Sequence, residues 1–298
     1  MIVADRTPEQ TRARDPDESG YVERDGVRVF YEVYGQGEPV VLFLPTWTIV
    51  HSRHWKMQLP YFGRHGTAIT FDPRGNGRSD RPMDPAAYDE AEFAADALAV
   101  LDATGTERAV IASLSLGAQR ALLLATEHPE RAAGAVFIGP ALPLGGLDGH
   151  RAILDRFDEE LETDDGWAKY NRYYWLRDYE GFLEFFFSEC FSEAHSTKQI
   201  EDCVGWGLDT TAETLLASET GAGLGSREAV LEICGRVGCP VLVIHGVEDR
   251  IRPVAHGAEL ARLTGGTFVA FEGGGHLPHA RDPVRVNLLI REFVESVA

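Results

Sequence analysis

Residues 112–117 read Ala-Ser-Leu-Ser-Leu-Gly, and this stretch decides the fold that we predict. It follows the apolar run 109–111 and precedes a helix-forming segment, residues 118–127. A serine at the apex of a sharp strand-to-helix turn is a nucleophile elbow, because the strained turn exposes its hydroxyl beside free helical N–H groups. Ser115 fits that position, although Ser113 stands where the usual G-x-S-x-G pattern has its first glycine. On these residues alone, a helix N-cap serine is an equally good interpretation.

Strand and helix patterns alternate along most of the chain. Short apolar or β-branched runs predict strands at residues 27–34, 40–44, 68–72, 108–112, 134–139, 240–245 and 267–271. Helical periodicity lies between them, as in Ala94, Ala97, Leu98 and Leu101, and returns in residues 286–297. This alternation indicates an α/β fold, with a mostly parallel sheet covered by helices on both faces. Ligands of such sheets bind beyond the carboxyl ends of the strands.

Two regions stand outside the alternation. Residues 143–227 lack a strand pattern, are rich in aromatic residues and are too long for a loop. We predict a helical cap there, inserted into an α/β core of residues 21–142 and 228–298. Most of the aromatic side chains are expected to form the core of the cap, and the rest to line an apolar pocket above Ser115. Residues 1–20 are polar and mixed in charge, which predicts a flexible arm and no secretory signal.

Composition and charge exclude several kinds of partner. The formal net charge is −19, and such a surface repels phosphate backbones and anionic membranes, so we expect neither as a partner. No apolar run approaches the roughly 20 residues of a membrane span. The 4 cysteines form no CxxC pair and have no nearby histidine ligands, so we expect free thiols in a cytoplasmic protein and no metal. The oligomeric state is open, a homodimer being one option.

A serine nucleophile needs an acid that orients its base. The buried run 240–245 is followed by Gly-Val-Glu-Asp-Arg-Ile-Arg-Pro, residues 246–253. A carboxylate in this turn lies in the same crevice as Ser115, because both follow the carboxyl end of a strand. We predict that Asp249 is the acid. Glu248 is the competing residue, and helix capping is the competing role for Asp249.

The predicted base is His276, in Glu-Gly-Gly-Gly-His-Leu-Pro, residues 272–278. It follows the last strand on a glycine-rich loop and completes the order serine, aspartate, histidine. His279 is the rival base, but it lies beyond Pro278 and nearer the last helix.

Backbone N–H groups are the expected donors to the oxyanion. The N–H of Leu116 comes with the elbow, and a second donor is expected from the loop that follows residues 40–44. Pro45 has no N–H, so the choice is between the N–H groups of Thr46 and Trp47, and the sequence leaves it open.

These blocks together resemble the α/β-hydrolase fold superfamily over nearly the whole chain from about Tyr21. The elbow at Ser115, the Asp249 turn and the loop 275–278 carry the resemblance, with residues 72–79, Asp-Pro-Arg-Gly-Asn-Gly-Arg-Ser, similar to the D-x-R-G-x-G-x-S segment of the superfamily. The resemblance implies an eight-stranded sheet with a helical cap and Ser115, Asp249 and His276 as the catalytic triad. The family's His-Gly before the oxyanion loop is absent here.

The resemblance also narrows the reaction. Haloalkane dehalogenases and epoxide hydrolases of this fold use an aspartate at the elbow, so Ser115 indicates acyl chemistry. The main hypothesis is a serine hydrolase that cleaves a small carboxylic ester with an apolar or aromatic part through an acyl-enzyme, without any cofactor. One alternative is a C–C bond hydrolase or enol-lactonase, for which Arg120, Arg172 or Arg177 could hold a carboxylate unless they are solvated at the surface. The other is a slow-turnover ligand-binding or sensing protein.

Overall fold

The computed structural model describes residues 14–144 and 151–297. Its strands form one 8-stranded sheet in the order β1-β2-β4-β3-β5-β6-β7-β8. The strands are β1 (Glu18–Arg24), β2 (Val27–Gly35), β3 (Val40–Phe43), β4 (Thr67–Phe71), β5 (Ala109–Leu114), β6 (Ala132–Ile138), β7 (Val241–Gly246) and β8 (Thr267–Phe271). Strand β2 pairs antiparallel with β1 and β4, and β3 to β8 run parallel. The predicted α/β fold with a mostly parallel eight-stranded sheet is confirmed.

Helices cover both faces of this sheet. They are α1 (Leu59–Phe62), α2 (Glu90–Ala103), α3 (Gly117–Glu127), α4 (Arg151–Leu154), α5 (Arg172–Arg177), α6 (Tyr179–Cys190), α7 (Thr197–Gly207), α8 (Ala212–Glu219), α9 (Arg227–Gly235), α10 (Ala255–Thr264), α11 (Pro278–Arg281) and α12 (Pro283–Val297). Short 3-10 turns occupy Ser52–Trp55, Pro85–Tyr88 and Gly166–Lys169. None of the helices in the described ranges is long and apolar enough to cross a membrane.

Successive side chains of a strand pack alternately into two separate hydrophobic clusters, one on each face of the sheet. Val41 and Phe43 of β3 point into one cluster, and Leu42 of the same strand points into the other, as the period of two requires. The first cluster also contains α12 and the aromatic side chains of α5 and α6. The second contains α2, α3, α9 and α10. The sheet is therefore buried on both faces, and the carboxyl ends of β3 to β8 form the edge at which ligands of such sheets generally bind.

The flexible arm predicted for residues 1–20 is wrong at its carboxyl end, where β1 begins at Glu18. Residues 1–13 lie outside the described ranges. Asp25 and Gly26 join β1 to β2 with φ values of 50° and 78°, which suits a two-residue hairpin turn. Of the β1 side chains only that of Val22 is buried, so this edge strand lacks the apolar alternation by which the other strands were identified.

The described part of the segment between β6 and β7 contains helices joined by turns and loops. It contains α4 to α9, with no strand among the described residues. Helix α9 packs on α3 and α10 of the sheet-covering layer. Residues 145–150 of the predicted cap lie outside the described ranges. The cap boundaries at 143 and 227 stay a prediction.

Candidate active site

Ser115 lies in a strained turn between β5 and α3. Its φ is 51°, in the left-handed region that non-glycine residues rarely adopt, and such strain is concentrated at functional sites. The backbone N–H of Ser115 donates to the carbonyl of Ile138 at 3.0 Å. Helix α3 has Leu116 at its N-cap and no side-chain cap, so Ser115 does not play the N-cap role. The turn has the geometry of a nucleophile elbow.

Close packing explains the residues that flank the elbow. A Cβ at Gly117 would lie 2.8 Å from the carbonyl oxygen of Pro45, so only glycine allows this approach of the β3 loop. Ser113 stands in place of the usual first glycine, and its buried hydroxyl donates to the carbonyl of Val136 at 3.0 Å. The polar group that serine adds to the motif is thus paired by a hydrogen bond between β5 and β6.

Asp249 is a buried carboxylate that accepts four hydrogen bonds. Its Oδ1 accepts from the backbone N–H groups of Ile251 and Arg252 at 2.8 and 2.9 Å. Its Oδ2 accepts from His276 Nδ1 at 2.7 Å and from His245 Nε2 at 3.0 Å. Burial by itself would raise the pKa of Asp249, but the two imidazoles hold this pKa well below its usual range. Glu248, the competing acid, is exposed.

His276 is held from two sides. Its backbone N–H donates to the carbonyl of Cys190 at 2.9 Å, so the end of α6 fixes the loop. A Cβ at Gly139 would lie 3.2 Å from His276 Nδ1, which places the imidazole against the carboxyl end of β6. Ser115 bonds the neighbouring residue, Ile138. The predicted nucleophile and the predicted base therefore flank the same end of β6.

The rival base, His279, lies elsewhere. Its Nε2 is 3.5 Å from Nδ1 of His54, and both side chains are buried. Burial, together with nearby His276, lowers the pKa of His279 to about 3. Within residues 14–144 and 151–297, the histidines that bond Asp249 are His276 and His245, and His279 is not among them.

His245 is a residue of the site that the sequence analysis missed. Its Nε2 lies 2.9 Å from the carbonyl oxygen of Arg252, which can only accept, so Nε2 carries the proton. That N–H is shared between Arg252 and Asp249 Oδ2. His245 is fully buried, and its Nδ1 has no hydrogen-bond partner among the described residues. The available signal was its position, at the end of the same strand that leads to Asp249.

Backbone N–H groups without an acceptor lie around the elbow. Those of Leu116, Thr46 and Trp47 are among them within the described part of the chain. Free N–H groups at a buried turn are what an oxyanion needs. The choice between Thr46 and Trp47 stays open.

The loop after β3 is braced by Arg120. The guanidinium donates to the carbonyls of Pro45 and Thr46 at 2.8 and 2.5 Å, and its Nε lies 2.9 Å from a carboxylate oxygen of Glu90. Arg120 is buried, so the expectation that its guanidinium is solvated at the surface is wrong. Arg172 and Arg177 do lie at the surface, where they pair with Asp158 and Asp164.

The block 72–79 supports the same loop. The Asn76 side chain donates to the carbonyl of Thr48 at 2.7 Å. Arg74 forms two hydrogen bonds of 2.7 Å with Asp96 of α2, both groups being buried. Gly75 has a φ of 97°, and a Cβ there would lie 2.5 Å from Thr48. This segment therefore positions the backbone that carries the predicted oxyanion donors.

Aromatic side chains of the helical segment pack on Trp47, and we call this cluster of Trp47, Tyr170, Phe182 and Phe186 the aromatic roof. The ring of Trp47 stacks on Tyr170, with centroids 5.8 Å apart and planes at 25°. Phe182 and Phe186 of α6 contact Trp47 edge-on at 6.3 and 5.3 Å. Since α6 ends at Cys190, which bonds His276, one helix spans the distance from the β3 loop to the histidine loop. Among the described residues there is no group of three or more side chains that could hold a metal ion.

Comparison with known proteins gives a consistent result. The family model described as alpha/beta hydrolase fold matches residues 39–283. The AB hydrolase superfamily protein YisY of Bacillus subtilis is 26% identical over 91% of this chain and 96% of its own length. The bifunctional esterase/perhydrolase DCH of Acinetobacter calcoaceticus is 26% identical over 93% of this chain and 100% of its own. The solved structure of Est816, titled as an N-acyl homoserine lactone degrading enzyme, has a TM-score of 0.73 and 25% identity over 92% of this chain and 100% of its own.

Proposed function

We propose that this chain, which belongs to the alpha/beta hydrolase fold family, is a serine hydrolase that cleaves a carboxylic ester through an acyl-enzyme intermediate. The observation that carries the proposal is the 2.7 Å hydrogen bond between Asp249 and His276 beside an elbow whose Ser115 has a φ of 51°. A bound Nδ1 leaves the other ring nitrogen, Nε2, as the base. The relatives include an esterase, which supports the same reaction class.

The proposed reaction has two halves. His276 Nε2 removes the proton of Ser115 as the hydroxyl attacks the ester carbonyl, and Asp249 stabilises the imidazolium that forms. The N–H of Leu116 and that of Thr46 or Trp47 bind the oxyanion, each donor lowering the barrier by roughly 3 kcal/mol. The tetrahedral intermediate then collapses, and the alcohol leaves with the proton from His276. Water, activated by His276, releases the acid from Ser115.

The aromatic roof supports a modest substrate with an apolar or aromatic part. Trp47, Tyr170 and Phe186 offer faces and edges on which a hydrocarbon or ring can pack. Lactone hydrolysis would use the same residues, since a lactone is a cyclic ester. C–C bond cleavage has less support because the three candidate arginines are already paired with acidic side chains.

A labelling experiment tests the proposal. A fluorophosphonate probe should modify the wild-type protein, and peptide mapping should place the label on Ser115. The variant Ser115→Ala should lose labelling and hydrolysis of p-nitrophenyl butyrate, while Ser113→Ala, two residues away, keeps both. Labelling that survives Ser115→Ala would exclude Ser115 as the nucleophile. Stoichiometric labelling with turnover slower than one per hour would favour the ligand-binding alternative.

A further inference from the structure

A polar pair, Tyr170 and Glu219, lies inside the aromatic roof. The hydroxyl of Tyr170 donates to Glu219 Oε1 at 2.8 Å. The ring of Tyr170 stacks on Trp47, and the loop that carries Trp47 packs on the elbow through Pro45. The pair therefore lies near the predicted nucleophile and takes no part in the reaction described above.

Both residues are enclosed by protein without being fully buried. Protein atoms surround them so closely that burial raises the pKa of Tyr170 well above its ordinary value and that of Glu219 to about 7. Even so, Tyr170 and Glu219 are partly exposed, as are Ser115 and Leu116. Enclosed groups that stay partly exposed are able to contact a small ligand.

Unused hydrogen-bonding groups lie on these residues and on their neighbours. Glu219 Oε2 accepts no hydrogen bond from the described residues. The indole N–H of Trp47 and the hydroxyl of Thr46 are buried and have no partner in the described ranges. A buried donor without a partner costs about 1–3 kcal/mol, so its presence near the elbow points to a ligand that supplies the acceptor. A hydroxyl or an amide could satisfy Glu219 and Trp47 together, because each offers both a donor and an acceptor.

The charges around Glu219 favour a neutral ligand. Arg252, in the turn after Asp249, lowers the pKa of Glu219 and so brings positive charge near it. The charges of Arg252 and ionised Glu219 offset each other, so neither a substrate ammonium nor a substrate carboxylate gains a net attraction from the two together. Helix α8 packs against α5 and against the 3-10 turn Pro85–Tyr88. Ionisable groups on these two elements form hydrogen bonds elsewhere: Tyr88 with Pro82, Tyr174 with Asp178, Arg172 with Asp158 and Arg177 with Asp164.

We propose that the Tyr170–Glu219 pair is a subsite that selects neutral esters or lactones carrying a hydroxyl or amide N–H close to the reacting carbonyl. This inference rests on the proposed function and names its substrate class. Glu219 accepts the donor of the substrate, Tyr170 orients Glu219, and the indole N–H of Trp47 donates to the same polar group.

The subsite predicts a pH-dependent preference. Glu219, with its pKa of about 7, is mostly protonated at pH 6 and mostly ionised at pH 8. An ionised acceptor forms the stronger hydrogen bond, so the preference for a hydroxylated substrate rises with pH. Any effect of pH on the chemical step that is common to both esters cancels in the ratio of two substrates.

Matched esters test this preference. We expect kcat/KM at pH 8 to be at least tenfold higher for p-nitrophenyl 3-hydroxybutyrate than for p-nitrophenyl butyrate, with a smaller ratio at pH 6. Glu219→Gln should lower the ratio about tenfold, mainly through KM, and remove its pH dependence. Tyr170→Phe should lower the ratio in the same direction. The control Glu213→Gln, on the exposed side of the same helix, should keep the wild-type ratio.

Binding separates this inference from the proposed function. In Ser115→Ala, NMR titration should give tighter binding of methyl 3-hydroxybutyrate than of methyl butyrate, and adding Glu219→Gln should abolish the difference. A ratio of kcat/KM unchanged by Glu219→Gln, or equal binding of the two methyl esters, would overturn the subsite. Failure of Ser115 labelling would instead overturn the proposed function and leave the binding measurement valid.

Discussion

At the scale of single residues, Asp249 is immobilised by its four hydrogen bonds. Oδ1 is tied to the backbone of its own turn, and Oδ2 is shared by His276 and His245. Rotation of the carboxylate would break several of these bonds at once, so the imidazole of His276 keeps one orientation. We infer that His245 is a positioning residue, which acts on the reaction through Asp249.

Replacing His245 tests this role. His245→Leu removes the N–H donor, and we expect kcat to fall about 10- to 100-fold with little change in KM. The acidic limb of the pH profile of kcat/KM should move to higher pH, because Asp249 then accepts fewer hydrogen bonds and stabilises an imidazolium more strongly. His245→Gln, whose side-chain amide can donate, should restore most of kcat. If His245→Leu keeps the wild-type kcat and pH profile, His245 does not position Asp249 and contributes only to packing.

At the scale of elements, a buried ion pair links two helices to the loop after β3. Arg120 of α3 and Glu90 of α2 are both buried, and the guanidinium also donates to the carbonyls of Pro45 and Thr46. Burial raises the pKa of Glu90, and Arg120 opposes that shift. Because two helices and a loop meet at one guanidinium, their packing holds the predicted oxyanion donors in place.

Removing Arg120 should affect stability and catalysis separately. Arg120→Met leaves the Glu90 carboxyl buried without its partner, and we expect a loss of about 3–5 kcal/mol in the free energy of unfolding. The double variant Arg120→Met/Glu90→Met should regain most of that stability, since two apolar side chains replace the ion pair. Its kcat should stay at least tenfold low, because the loop is still unbraced.

Urea denaturation and ester hydrolysis measure the two effects. A double variant that regains both stability and wild-type kcat would show that Arg120 serves the packing of the helices alone.

At the scale of the whole molecule, a buried histidine pair joins distant parts of the chain. His54, in the 3-10 turn after β3, meets His279 of α11. Gln58 donates to the carbonyl of His279 and to Asn287 of α12. Burial lowers the pKa of both imidazoles, and their proximity lowers it further for His54. Both are therefore neutral in the folded protein at pH values where they are protonated in the unfolded chain.

This linkage predicts acid sensitivity. Below the unfolded value of about 6.5, the unfolded chain binds protons that the folded protein does not, so stability falls as pH falls. For His279 the window extends down to its folded pKa of about 3. Each imidazole contributes about 1.4 kcal/mol per pH unit to this slope.

Urea denaturation between pH 5 and pH 8 measures the slope. His279→Gln should flatten it, whereas the control His128→Gln, at a partly exposed position, should leave it unchanged. Equal slopes in the wild type and His279→Gln would contradict the assignment.

The local sequence was sufficient for the elbow, the order of strands and helices, and the glycine-rich loop. These features depend on turn chemistry and periodicity within a few residues, whereas the prediction of Ser115 as a nucleophile rather than a helix N-cap also required the more distant sequence blocks. The hairpin of β1 was missed although Asp25-Gly26 is a turn signal, because an edge strand with one buried side chain carries little apolar pattern.

Only the tertiary structure decided which distant side chains meet. It paired Asp249 with His276 and left His279 beside His54, although His276 and His279 lie three residues apart in the sequence. It also buried Arg120 against the β3 loop and joined Tyr170 to Glu219. Such contacts connect residues tens to hundreds of positions apart, and their geometry follows from how the helices pack on the sheet, which no local pattern encodes.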